Sequence, residues 1–246
     1  MPITTAMTAN SILNRVAVEV GLEPVSSPYE SQDPNFVQLT YLLNIAGEEL
    51  AIMYPWNFLT QETSINTTDD DSGDYSLPSD YLYMTNQTCW ERNNRVPVVM
   101  LSAQDWAYLE GRQFASDTIY VKFRLQQGKF TLYPQPAPSG LEIFYEYTSK
   151  NWGLDGSDLV TRISDITRGA DVVLYDRTLI TRYLKCKWLE AKGFDSSKAQ
   201  DDVNQIFNLL TGHDKDAPLL SAGNGSRGFP FLDVYRNVGD SNFGHS

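Results

Sequence analysis

The sequence offers few side chains that could catalyse a reaction or hold a metal. Its histidines are His213 and His245, and its cysteines are Cys89 and Cys186. A zinc site needs such residues at close, fixed spacing, and neither histidine lies near a cysteine. A serine or cysteine nucleophile needs a rigidly held histidine, and positions next to a helix end or the chain end are poor candidates. Phosphate-binding and nucleophile-elbow glycine motifs are missing from the sequence. We therefore predict no catalytic residue, no metal ligand and no cofactor.

Pairs of acidic residues are the remaining route to catalysis. Glu142 and Glu146 share one face of a predicted strand, as the paired carboxylates of a glycosidase would. Four strand residues separate them by about 13 Å, which exceeds the usual carboxylate spacing. The run from Asp69 to Asp74 resembles a calcium loop, but its twelfth position is Asp80 and not glutamate. We expect both features to be solvated surface.

Three cations on one predicted helix form the best basic patch. Arg182, Lys185 and Lys192 fall within about a quarter turn when about 3.6 residues make a turn. Three charges are few for sequence-specific DNA binding. We therefore expect a solvated face or an interface with an acidic neighbour, and these residues become candidates for a subunit interface.

The acidic excess of the chain is confined to its first third. The formal net charge is −12, yet residues 1–91 hold thirteen Asp and Glu against a single cation, Arg15. Residues 92–246 hold eighteen charges of each sign. The densest acidic cluster contains Asp69, Asp70, Asp71 and Asp74, and the first three are candidates for a subunit interface. A negative balance argues against a protein that grips DNA, because phosphates are neutralised by clustered Lys and Arg. The segregation suggests a surface that stays negative or meets a basic partner, and a solvated loop is the alternative.

Helical periods occupy the two ends of the chain. Apolar residues at helical spacing predict helices over 7–20, 34–54, 180–193 and 195–212. The first is capped by Thr8, and the second starts at Asp33 followed by Pro34. A shorter helix begins at the capping-box residues Ser102 and Asp105 and ends near Gly111.

The middle of the chain carries the β signal. Alternating apolar residues predict an antiparallel meander of three strands over 119–125, 130–133 and 141–147. The segment Arg95–Leu101 predicts one short edge strand, because Pro97 cannot donate a ladder hydrogen bond.

These elements predict an α+β fold in which N- and C-terminal helices form a bundle around an inserted antiparallel β subdomain. The helical core takes residues 1–58 and 160–213, and the β-rich insertion takes 59–159. Residues 214–246 form an extended C-terminal arm. No apolar run reaches the roughly 18 residues of a membrane span, so we expect no membrane anchor.

The arm combines glycines with large apolar residues. Disordered glycine-rich linkers are normally poor in aromatics, so an arm that docks on another surface is the better explanation, and packing on its own domain is the alternative. Its candidate docking residues are Phe229, Phe231, Leu232, Tyr235 and Phe243.

Three stretches of the sequence, taken in order, match a known family. The first stretch contains Leu77-Pro78-Ser79-Asp80-Tyr81-Leu82, Trp90 and Ser102-Ala103-Gln104-Asp105-Trp106. The second contains Phe123-Arg124-Leu125, Leu132-Tyr133-Pro134-Gln135-Pro136 and Ser149-Lys150-Asn151-Trp152. The third contains Asp171-Val172-Val173-Leu174 and the run from Leu184 to Gly193. In this order and spacing, over roughly residues 5–215, they resemble the head-to-tail adaptor proteins of short-tailed bacteriophages, including the tail-tubular-protein-A type.

The resemblance implies a structural virion protein and not an enzyme. Adaptors of this kind form a twelve-fold ring under the portal vertex, extend the DNA channel, seat the tail nozzle and often bind fibres or spikes. The implied partners are therefore the portal protein, the tail nozzle protein and further copies of the chain. Double-stranded DNA would pass through the channel during packaging and ejection without specific binding. The implied location is the head-to-tail interface of the virion, after synthesis in the host bacterial cytoplasm.

Two other classes of protein are alternatives to the adaptor. The many Tyr and Trp residues would suit a carbohydrate-binding module of a tail fibre, but the terminal helices speak against that class. A peptidoglycan hydrolase would use Glu142 or Glu146, and their spacing speaks against that class.

Overall fold

The chain forms two compact units, one helical and one rich in β-strands. The computed structural model describes residues 7–68, 72–112 and 121–214. The first unit, called the helical unit here, contains the described chain up to Thr60 and from Ser149 onward. The second, called the β unit, is built from the described residues between them. Helices and sheets are both extensive, so the predicted α+β class is confirmed.

Capping chemistry sets the ends of the helices. The described residues form five α-helices: α1 (Ala9–Glu19), α2 (Pro34–Met53), α3 (Ala103–Arg112), α4 (Arg177–Lys192) and α5 (Ser197–His213). Thr8 accepts the N–H of Ser11 at the start of α1, and Asp33 accepts the N–H of Asn35 at the start of α2. Gly193 ends α4 in the left-handed region at a φ of 73°. The predicted ends of these three helices are confirmed to within a turn.

The strands are short and build three sheets. Among the described residues they are β1 (Met7–Thr8), β2 (Thr60–Asn66), β3 (Asp74–Ser76), β4 (Tyr81–Met84), β5 (Trp90–Glu91), β6 (Val96–Pro97), β7 (Val99–Met100), β8 (Lys122–Gln126), β9 (Lys129–Tyr133), β10 (Glu142–Ser149), β11 (Gly153–Leu154), β12 (Arg162–Ile163) and β13 (Val172–Val173). The sheet β1-β13-β11-β12 lies in the helical unit. The sheets β2-β10-β5-β6, with β4 also on β10, and β3-β9-β8-β7 form the β unit.

Helix α4 is the centre of the helical unit, where it packs against α1, α2 and α5. The fully buried side chains of this core include Ile12, Leu13, Leu39, Leu43, Leu50 and Leu184. Trp152 lies directly on the backbone of α2 at Gly47. The Tyr175 hydroxyl donates to the Gly47 carbonyl at 2.8 Å. The segment that follows the β unit is thereby fixed to the middle of α2.

Stacked aromatic rings form the centre of the β unit. Phe123 stacks on Phe130 with ring centroids 4.4 Å apart, and Phe130 stacks on Tyr145 at 5.2 Å. These rings join β8, β9 and β10, so they tie the two sheets of the unit into one core.

The predicted three-stranded meander is wrong in its third strand. β8 and β9 form the expected hairpin, but β10 belongs to the other sheet of the β unit. The second edge of β9 is occupied by β3, with Tyr75 opposite Phe130, so no edge remains for β10. The segment Arg95–Leu101 also divides into two strands in different sheets, β6 and β7. Val98 separates them, because it is buried and donates its N–H to Cys89.

Candidate subunit interface

Helix α4 carries the predicted basic patch, and its cations reach acids on the surrounding helices. Arg182 pairs with Asp202 of α5 at 3.9 Å, and Lys185 pairs with Glu19 of α1 at 3.2 Å. Both pairs are partly exposed, so each contributes at most about 1 kcal/mol to stability. The structure thus brings two of the three predicted cations together, and each forms an ion pair with an acid of the same chain.

These two cations lie in a polar cleft of about 510 Å³ between α1, α4 and α5. Its walls carry four cations, Arg15, Arg182, Lys185 and Lys198, against three acids. No acid among the described residues lies within ion-pair distance of Arg15 or Lys198. The cleft therefore keeps a positive excess and has two cations that a carboxylate of another molecule could bind.

The third predicted cation, Lys192, lies elsewhere. Its ammonium group lies 4.4 Å from the centroid of the Trp188 ring and donates to the Asn35 side chain at 3.1 Å. It therefore holds the end of α4 against the start of α2 and does not line the cleft.

The acidic and aromatic interface candidates fall outside the described residues. These candidates are Asp69, Asp70 and Asp71 and the arm residues Phe229, Phe231, Leu232, Tyr235 and Phe243. Their roles stay predictions.

A half-buried charged cluster joins α4 to α2 on the side away from the cleft. Lys187 pairs with Glu49 at 2.7 Å, and the Tyr183 hydroxyl donates to the same carboxylate. Burial disfavours ionisation of Glu49, but hydrogen bonds from Lys187 and Tyr183 outweigh it and hold the Glu49 pKa below its usual value. Burial, followed by the hydrogen bond to Glu49, raises the pKa of Tyr183. The cluster fixes which side of α4 faces α2.

The outward side of α2 is the surface that sequence reasoning missed. Val37, Tyr41 and Ile52 are 54%, 69% and 63% exposed, and Ile45 between them is half-buried. At about 100° per residue these four lie within about 80° of one another around the helix. An exposed helix face is normally polar, so this row of apolar side chains, which is interrupted by the exposed Glu48, indicates a partner. The signal was present in the sequence, since α2 contains no Lys or Arg and its only acids are Glu48 and Glu49.

This apolar helix does not indicate a membrane span. Among the described residues, no helix, α2 included, combines the length and the apolar composition that crossing a bilayer requires.

Those residues considered for catalysis that the structure describes do not assemble into a site. Glu142 pairs with Arg92 at 3.6 Å on the exposed side of β10. Cys89 and Cys186 are buried free thiols, and burial, helped by Glu190, raises the pKa of Cys186 to about 11. Within the described part of the chain, no three His, Cys, Asp or Glu side chains gather so that they could hold a metal ion.

The acidic first third is partly neutralised within the chain itself. Four ion pairs of the described residues join an acid of residues 1–91 to a cation of the remainder: Glu19–Lys185, Glu49–Lys187, Glu62–Arg92 and Asp74–Lys129. Part of the segregated charge therefore stabilises the fold, because these ion pairs connect elements that are far apart in sequence.

Exposed apolar and charged surfaces such as the outer side of α2 and the cleft are typical of a protein that binds other proteins. The comparison with known families gives the particular class: the model of the SU10 adaptor protein family matches residues 7–212. The chain belongs to this family and is a bacteriophage head-to-tail adaptor, a structural protein of the virion. Its place is the junction between head and tail, where it meets portal and tail components. No curated protein matches the chain significantly.

Proposed function

We propose that this chain is one subunit of a twelve-fold ring that joins the portal vertex to the tail nozzle and extends the DNA channel. The observation that carries the proposal is the family match over residues 7–212, which covers both described units. The subunit acts by binding and catalyses no reaction.

The portal is the partner on the head side, and the nozzle, with fibres or spikes, is the partner on the tail side. The arm residues Phe229, Phe231, Leu232, Tyr235 and Phe243 are the proposed contact with the portal, where they add a strand to an exposed sheet edge. Removing residues 217–246 should abolish portal binding and leave the helical and β units folded. Normal portal binding by the truncated chain would contradict this role.

The net charge of −12 suits a wall that DNA slides past during packaging and ejection. Repulsion between acidic side chains and phosphates prevents sticking, because binding would need clustered Lys and Arg. Among the described residues, no cation lies within ion-pair distance of Glu23, Glu30 or Asp33, so the start of the chain keeps exposed negative charge. These acids are the described candidates for the lumen.

A ring of identical subunits closes through contacts between two different faces. The cleft that contains Arg182 and Lys185 is the proposed basic face of this contact. Asp69, Asp70 and Asp71 stay proposed acidic residues of the subunit interface.

Electron microscopy of the chain mixed with the portal protein of the same phage tests the proposal. We expect class averages with a twelve-fold ring attached to the tail-facing side of the portal. Portal particles that bind no ring, or that bind it on the opposite side, would contradict the proposed function.

A further inference from the structure

We propose that the outer face of α2 in one copy packs into the cleft face of the next copy, and that this contact is the seam of the ring. The outer face of α2 is defined by Val37, Tyr41, Ile45, Glu48 and Ile52. The cleft face is defined by Arg15, Val18, Arg182, Lys185, Leu189 and Lys198. The inference rests on the proposed ring and names the two surfaces that close it.

The two faces lie on opposite sides of the helical unit. On α4, Arg182 and Lys185 line the cleft, whereas Tyr183 and Lys187 contact α2. At about 100° per residue, the mean directions of these two sets differ by about 150°. α2 therefore lies against the side of α4 that is turned away from the cleft.

The exposed stripe of α2 points away from α4 in turn. The buried positions Leu39, Leu43 and Leu50 lie about 160° around the helix from the stripe of Val37 and Tyr41. The outer face of α2 and the cleft face are thus two different surfaces that look in opposite directions. A head-to-tail contact that propagates around a ring needs this arrangement.

The chemistry of the two faces is complementary. The outer face of α2 is apolar, holds the exposed acid Glu48 and has no cation anywhere on its helix. The cleft face has a positive excess, with Arg15 and Lys198 outside the ion pairs of the described residues. It also offers apolar area, because Leu189 lines the cleft and Val18 beside Arg15 is 60% exposed.

Pairing of like faces fits less well. Two α2 faces packed on each other would bury the Glu48 carboxylates without any cation from either helix. Such a symmetric contact would also close as a dimer and would not continue into a ring. The structure therefore favours the cleft face of a second copy as the surface that covers the outer face of α2.

Placing a charge on the stripe tests the seam. Tyr41→Asp changes an exposed side chain, so the monomer should keep its circular dichroism spectrum while ring formation on the portal falls about tenfold or more. Val160→Asp is the matched control, because Val160 is 78% exposed in the helical unit but lies on neither face. If Tyr41→Asp forms rings in the same yield as Val160→Asp, the proposed seam is wrong, whereas the adaptor function is unaffected.

Cross-linking of the portal-bound assembly gives a second, independent readout. A carbodiimide joins carboxylates to amines, and a mixture of ¹⁵N-labelled and unlabelled copies separates links between copies from links within one. We expect Glu48 to link to Lys198 or Lys185 between copies. Rings whose links between copies never include Glu48 would overturn the seam. Absence of rings from the wild-type chain would overturn the proposed function, and the seam with it.

Discussion

Gly47 is the position in α2 that has no room for a side chain, because the Trp152 ring lies against its backbone. Gly47→Ala would gain about 1 kcal/mol of helix propensity but force a Cβ into the indole ring, and overpacking usually costs about 1–3 kcal/mol. We expect a net loss of stability in urea unfolding. Gly212→Ala is the matched control, because nothing lies within 4 Å of that helical glycine, and it should be neutral or stabilising. Equal stability of the two variants would contradict this packing.

The carboxylate of Glu49 makes a pH-dependent contribution to the helical unit. Its folded-state pKa lies below the ordinary value of 4.5, so the contribution is present above that value and is lost as the pH falls through the lowered one. We expect the difference in unfolding free energy between wild type and Glu49→Gln to shrink between about pH 6 and about pH 3. Glu48→Gln removes the neighbouring carboxylate outside the cluster and controls for net charge. A difference that stays constant with pH would refute the assignment.

The sequence predicted the positions of single residues better than it predicted their partners. The cations Arg182, Lys185 and Lys192 could be placed on one helix, but their partners could not, since Asp202, Glu19 and Asn35 come from three different elements. Helical spacing gives the direction of a side chain and not the acid that it meets.

At the scale of elements, the caps of α4 and α5 differ in strength. Asp176 accepts the N–H groups of Thr178 and Leu179 at 2.7 and 3.2 Å, whereas the side chain of Ser196 at the start of α5 makes no capping hydrogen bond. Asp176→Ala should therefore cost about 1 kcal/mol in urea unfolding, and Ser196→Ala should cost much less. A larger loss from Ser196→Ala would show that these contacts do not set helix stability.

Helices were more predictable than sheets for a physical reason. The start of α2 is encoded locally by Asp33 and Pro34, and the end of α4 by Gly193. Sheet membership depends on residues distant in sequence. β3 pairs with β9, which follows it by more than fifty residues, and β1 pairs with β13, which follows the whole β unit in the sequence. Local patterns identify such strands but not their neighbours.

At the scale of the whole molecule, the charge segregation has two parts. Four acids of the first third are used within the chain, in pairs such as Glu19–Lys185. Others, such as Glu23 and Glu48, remain exposed and are available to DNA or to a neighbouring copy. The sequence indicated that the charge was segregated, but only the fold separates these two uses.

Salt should weaken assembly if charge contributes to the seam. Raising the salt from about 0.1 to about 1 M shortens the screening length from about 10 to about 3 Å, which removes attraction between exposed charges but not apolar contact. We expect the ring yield on the portal, measured by sedimentation, to fall several-fold without disappearing. An unchanged yield would refute docking by charge.

The count of copies bound to the portal tests the central claim most directly. Native mass spectrometry of the complex between the full chain and its portal gives that count without assumptions about symmetry. A ring-forming adaptor predicts a mass increase of twelve chains of 27.8 kDa on each portal. A portal that gains a single chain, or none, would contradict the account.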